Sequence, residues 1–129
     1  MKKEKSCGTI IIENNKVLLI QQTDNAWGFP KGHVENNEKE QETAIRETKE
    51  ETNLDVEIIS NKKYITNYKI NNEIDKEVIF FLAKKTSDKI KKQDEEIKNI
   101  KWVDLTKAFD IITYENTKNL YKEVLKDIN

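Results

Sequence analysis

The chain is poor in the residues that punctuate or cross-link a backbone. Its 129 residues include one cysteine, one proline, three glycines and one histidine. A lone cysteine excludes an internal disulfide and a multi-cysteine zinc site, and Cys7 opens a β-rich run where a small buried apolar side chain is expected. No apolar run has the length of a membrane span. The basic start, Met1-Lys2-Lys3-Glu4-Lys5, leads into a short alternating strand in place of a signal-peptide core, so the expected location is cytoplasmic, away from membranes. A net charge of -1 removes the polybasic signature of a dominant nucleic-acid surface. Repeats and low-complexity linkers are absent, and the length suits one domain over residues 1–129.

One cation is nearly absent as well: 22 lysines stand against a single arginine. That arginine, Arg46, lies inside the stretch from Gly32 to Leu54, and Pro30, His33 and Gly28 sit at or just before its start. A chain that uses lysine for ordinary cations has a geometric reason to place one planar guanidinium fork there.

The patterning predicts strands over Ser6–Glu13 and Lys16–Gln22, joined at Asn14-Asn15, because asparagine tolerates positive φ. Gln21 to Pro30 reads as a loop. Glu38–Thr52 reads as a helix, with Asn36 or Asn37 as its cap and Asn53 as a left-handed stop. Strands are expected over Leu54–Ile59, Lys63–Ile70, Glu77–Lys85 and Asn99–Val103, with Lys84 to Lys98 as a solvated loop. Asp104 can cap a brief helix through Phe109, and Asn116–Asp127 puts Leu120, Val124 and Leu125 on one helix side. This order predicts a sheet with helices packed on its faces.

On the central helix, Glu47, Glu50 and Glu51 fall within an arc of about 100°, beside an arc of Ala44, Ile45, Thr48 and Thr52. Like charges at these spacings destabilise an isolated helix by ~0.2–0.5 kcal/mol per pair, so the stripe calls for a cation. Mg²⁺ suits a few carboxylates with water and phosphate in its other positions. A solvated Glu/Lys helix is the competing reading for three glutamates alone. The glycine loop ahead, the isolated Glu38, the sole arginine and the Glu50-Glu51 pair weigh against it.

With Leu54, these residues stand in register with the box of the Nudix hydrolases, Gly-x5-Glu-x7-Arg-Glu-U-x-Glu-Glu-x-Gly-U with U apolar, and the chain resembles that family. Two positions depart: Thr48 stands where the box has an aliphatic residue, and Asn53 where it has glycine. The resemblance implies an α/β/α sandwich with a mixed central sheet and hydrolysis of a nucleoside diphosphate linked to another group. It also implies Glu47, Glu50 and Glu51 as ligands of Mg²⁺, with Mn²⁺ as an alternative, and Gly32 bringing its backbone close to that site. Arg46 and Glu38 would form a bracing ion pair, and Glu50 or Glu51 would be the general base.

The flanks narrow the resemblance. Trp27-Gly28-Phe29-Pro30-Lys31-Gly32-His33-Val34-Glu35 is similar to the loop of the asymmetrical diadenosine tetraphosphate hydrolases, and Lys76 to Ala83 to their following strand. This implies Lys31 on phosphate and His33 either on phosphate or in a loop-bracing hydrogen bond. Phe80 takes the place of an adenine-stacking tyrosine. Phe80 and Tyr114 could clamp a purine, against core packing as the alternative. Alternation along the strand sends only one of Phe80 and Phe81 to a given face. Trp27 and Trp102 read as structural, and Glu96 as either an extra carboxylate near the metals or a solvated one. The implied substrate is diadenosine tetraphosphate, cleaved to ATP and AMP. Other readings are removal of pyrophosphate from RNA 5′ ends, the one case with a nucleic-acid partner, nucleoside triphosphate pyrophosphohydrolysis, and a non-catalytic nucleotide sensor.

Overall fold

A computed structural model describes residues 2–128. Its strands are β1 (Lys2–Glu13), β2 (Lys16–Gln22), β3 (Trp27–Gly28), β4 (Lys31–His33), β5 (Val56–Ile58), β6 (Tyr64–Ile70), β7 (Ile74–Lys85) and β8 (Ile97–Asp104). The helices are α1 (Glu40–Thr52), α2 (Leu105–Ile111) and α3 (Glu115–Ile128). Among the described residues no helix is long and apolar enough to cross a membrane.

The unbroken apolar run Val78–Ala83 marks a strand covered on both faces. Even residues of β7 (Val78, Phe80, Leu82) pack with Ile10, Tyr64, Leu120, Tyr121 and Val124. The odd residues pack oppositely, Ile79 and Phe81 with Cys7 and Ala44, and Ala83 with Ile11 and Leu54. Helix α1 thus covers one face, and α2 with α3 the other. Strand β7 runs parallel to β1 from Lys2↔Ile74 to Ile11↔Ala83, and antiparallel to β6 and β5 on its far side. Strand β1 pairs antiparallel with β4 at Ser6–Gly8 and with β2 at its end, and β2 carries β3 and β8. One parallel pair among antiparallel ones makes the sheet mixed, as the expected α/β/α sandwich requires.

Several bounds differ from expectation. Strands β1 and β7 start earlier, at Lys2 and Ile74, because their polar ends pair with each other; backbone bonding extends them where burial does not. Strands β3 and β4 interrupt the expected loop. Helix α1 starts at Glu40 with Lys39 as its cap residue, and Glu42 Oε1 accepts the Lys39 N–H at 2.8 Å. Asn36 and Asn37, the expected caps, form a left-handed turn at φ 36° and 54° instead. Asp104 does sit at the cap position of α2, without a side-chain cap bond. Asn53 ends α1 at φ 66°, as its residue type suggested.

Among the described residues all eight with positive φ are asparagines, from Asn14 to Asn72, and no glycine has one. Asparagine tolerates this region through local hydrogen bonding. Two of the scarce glycines serve close approach instead. A Cβ on Gly8 would collide with the Pro30 carbonyl and Lys31, and one on Gly32 with the Glu47 carboxylate.

Candidate active site

The loop before α1 and the helix itself meet on one guanidinium. Arg46 Nε and Nη2 donate to Glu38 Oε2 and Oε1 at 2.7 and 3.0 Å, a two-point grip that a lysine ammonium cannot make. Nη2 also donates to the His33 carbonyl at 2.9 Å, and Nη1 to Glu47 Oε2 and Glu50 Oε1 at 2.7 and 3.1 Å. Glu38 accepts the Glu35 N–H at 3.0 Å and the Thr43 hydroxyl at 2.9 Å as well. The Arg46 hydrogen bonds, followed by that N–H, hold the Glu38 carboxyl down to about 2. The chain's one arginine therefore locks the loop to the carboxylate stripe.

Glu51 is 4% exposed, and its Oε1 accepts the Lys31 N–H at 3.0 Å. Burial pushes its carboxyl up to about 8; the Lys31 N–H opposes this, and the charges of Glu47 and Glu96 add to it. Glu47 is raised too, first by burial, with Arg46 opposing and Glu50 and Glu96 reinforcing. Gly32 crosses directly over the Glu47 carboxylate. Glu96 belongs to a segment whose carbonyl at that residue accepts the Thr23 N–H at 3.2 Å. Glu96 is exposed, and its charge adds a smaller upward push to Glu47 and Glu51.

Among the described residues no three His, Cys, Asp or Glu side chains converge on one metal position, since Glu47 and Glu50 each turn an oxygen to Arg46. The donor chemistry nevertheless fits a hard divalent cation: the carboxylates are oxygen ligands, and one is buried in the field of two others. A cation relieves the desolvation and like-charge penalty that Glu51 carries. Glu47, Glu50 and Glu51 could hold it after Glu47 and Glu50 rotate away from Arg46.

A cavity of about 500 Å³ lies between the sheet and the start of α3. Trp27, Phe29, Tyr68, Phe80 and Tyr114 line it with Lys31, and Gln22, Thr66 and Asn116 add polar groups. Tyr114 is 56% exposed and stands at the mouth. Phe80 lines the cavity at 2% exposure and meets Phe29 edge-on at 5.4 Å, the core packing that stood as its alternative role. Phe81 is buried as well, on the opposite face, because both faces of β7 are covered. Trp27 is half-buried and lines the cavity, whereas Trp102 packs against the Leu18–Leu54 cluster as a structural residue. The His33 ring is exposed and does not line the cavity; the loop is braced by its carbonyl.

Sequence reasoning passed over Lys76 and Tyr68. Lys76 is 5% exposed, with Nζ 3.8 Å from Glu4 Oε1. Burial, then the charge of Lys31, holds its ammonium below the ordinary lysine range. It lies two and four residues before Val78 and Phe80 on the same face, and Tyr68 pairs with it across β6 and β7. The period of two was the available signal; the cross-strand register was not.

The mixed-sheet sandwich and its carboxylate-bearing helix belong to a class of hydrolases that generally use divalent metal ions. The family model described as NUDIX domain matches residues 2–127, and the chain belongs to the Nudix family of hydrolases, an enzyme acting on nucleotide polyphosphates. The rat protein named bis(5′-nucleosyl)-tetraphosphatase [asymmetrical] is 30% identical, covering 92% of this chain and 91% of its own. The pig protein of the same name is 31% identical over the same shares. The crystal structure of a C. elegans Ap4A hydrolase binary complex superposes with a TM-score of 0.85 at 30% identity, covering 97% of both chains. A MutT NUDIX hydrolase from Burkholderia pseudomallei, at 19% identity and a TM-score of 0.78, shares the fold alone.

Proposed function

We propose that the protein is a divalent-metal-dependent hydrolase of dinucleoside polyphosphates, cleaving diadenosine tetraphosphate into ATP and AMP. The observation that carries this is Lys31, which lines the aromatic cavity with its side chain and donates its N–H to the buried Glu51 carboxylate. One residue thus joins a base-sized pocket to the carboxylate stripe. The rat and pig relatives bear names for this activity and span nearly the whole chain, which supports the reading.

Glu47, Glu50 and Glu51 would hold Mg²⁺ or Mn²⁺, with Gly32 keeping the backbone clear of the Glu47 carboxylate. When bound, the cation neutralises phosphate oxygens and acidifies water. Tyr114, Tyr68 and Trp27 hold a base in the cavity, and Gln22, Thr66 and Asn116 offer polar partners at its edge. Lys31 and Lys76 place positive charge along the polyphosphate leaving that cavity. Glu50 or Glu51 accepts the proton of a water whose oxygen attacks phosphorus; the bridging P–O bond breaks and its electrons leave with the departing phosphate. Arg46 and Glu38 keep the loop fixed on the helix while this happens.

Product analysis decides the matter. Purified protein with Mg²⁺ should convert diadenosine tetraphosphate into equal amounts of ATP and AMP, read by anion-exchange chromatography. Two ADP per substrate, or an intact dinucleotide beside pyrophosphate released from RNA 5′ ends, rejects the reading.

A further inference from the structure

The last carbonyls of a helix lack partners within it. In α1 they are met by the segment 87–96. The Gln93 N–H donates to the Glu51 carbonyl at 3.2 Å, and the Lys91 N–H to the Thr52 carbonyl at 2.9 Å. Asn53 then adds a third rung of its own: its side-chain Nδ2 donates to the Lys89 carbonyl at 2.9 Å. Alternate residues of the segment thus meet successive residues of the helix end. After Gln93 the chain turns, with the Ile97 N–H on the Gln93 carbonyl at 2.9 Å, and Ile97 is fully buried at the start of β8. Glu96 is fixed between this ladder and β8. The expected solvated loop is mostly exposed and also caps α1.

A glycine at position 53 would serve φ 66° at least as well as asparagine, since it carries no Cβ penalty. Glycine has no side chain to reach Lys89. The geometry points to Asn53 as a positioning residue: its amide holds segment 87–96 on the end of α1 and so fixes where that segment carries Glu96. The departure from the box is then a gain of a tether. This rests on the metal-site reading above, with Glu96 contributing to the cation's field.

The test compares wild type, Asn53→Gly, Glu96→Gln and the double variant. Mn²⁺ affinity is followed by electron paramagnetic resonance without substrate, and amide exchange at Lys91 and Gln93 by NMR. Glycine suits the backbone there, so Asn53→Gly folds. Loss of one hydrogen bond should speed exchange at both amides and weaken Mn²⁺ about two- to tenfold, with no further weakening when Glu96 is already Gln. Wild-type exchange and affinity in Asn53→Gly overturn the inference, and so does an undiminished effect in the Glu96→Gln background. Failure of the wild type to bind Mn²⁺ overturns the metal-site reading, and unchanged exchange in Asn53→Gly overturns the tether whether or not metal binds.

Discussion

Thr48 stands where the Nudix box has an aliphatic residue, so Thr48→Val is the natural perturbation. Thr48 and Thr9 are both fully buried, with hydroxyls 2.6 Å apart between α1 and β1. Thr48 Oγ1 donates to the Ala44 carbonyl at 2.8 Å, which uses its only proton. The proton between the two hydroxyls must then come from Thr9. Thr48→Val leaves that donor buried without an acceptor, at about 1–3 kcal/mol. Thr9→Val leaves the Thr48 proton on Ala44 and removes only a received bond, about 0.5–1.5 kcal/mol. Thr9→Val/Thr48→Val removes both groups at nearly constant shape and should return close to wild type. Urea and thermal denaturation of the four proteins form a double-mutant cycle. At this chain length about 1 kcal/mol shifts Tm by about 4 °C. The reasoning is refuted if the single effects add in the double variant, or if Thr9→Val is the more damaging change.

Metal-free protein should lose stability as pH rises from about 4.5 to 8, because the Glu51 carboxyl, raised to about 8 by burial, binds its proton in the folded state where the unfolded state has released it. Thermal melts in chelator should show this slope, and Mg²⁺ or Glu51→Gln should flatten it. Glu38 works in the opposite sense. Held down to about 2 by Arg46, it contributes stability above its ordinary carboxylate value that fades as pH falls toward 2, and Glu38→Gln should abolish that acid-limb slope. Gly32→Ala drives a Cβ into the Glu47 carboxylate and should lower kcat by about 10²-fold through misplacement of a ligand, measured by steady-state kinetics beside an unchanged circular dichroism spectrum. Tyr114→Ala should raise KM about 5- to 150-fold, the equivalent of ~1–3 kcal/mol for stacking a base on one ring, with a smaller change in kcat.

The box was legible because its parts lie within one loop and one helix, where spacing in sequence is spacing in space. Arg46 meets Glu38, Glu47 and Glu50 as their offsets require. The sandwich was legible for a similar reason: two groups of short β-rich runs flank one uninterrupted helical stretch, and helical stretches close the chain. The cavity was not. Trp27, Tyr68 and Tyr114 come from β3, β6 and the turn before α3, and only the pairing of Tyr68 with Lys76 across β6 and β7 sets the wall beside Lys31. Register follows from the whole sheet, so the sequence alone singled out Phe80 and passed over Tyr68, which lines the same cavity.

The two departures from the box show how a helix-borne motif depends on its neighbours. At position 48 a hydroxyl replaces a methyl group and accepts the proton of Thr9, whose own hydroxyl would otherwise be stranded between β1 and α1. At position 53 an amide replaces hydrogen and finds the Lys89 carbonyl. Neither partner lies in the box. Each departure meets a partner outside the box, and both contacts fall at turns of α1 that carry Glu47, Glu50 and Glu51. The same two positions that weaken the match to the motif therefore bind the metal-bearing face of α1 to β1 on one side and to the Glu96 segment on the other.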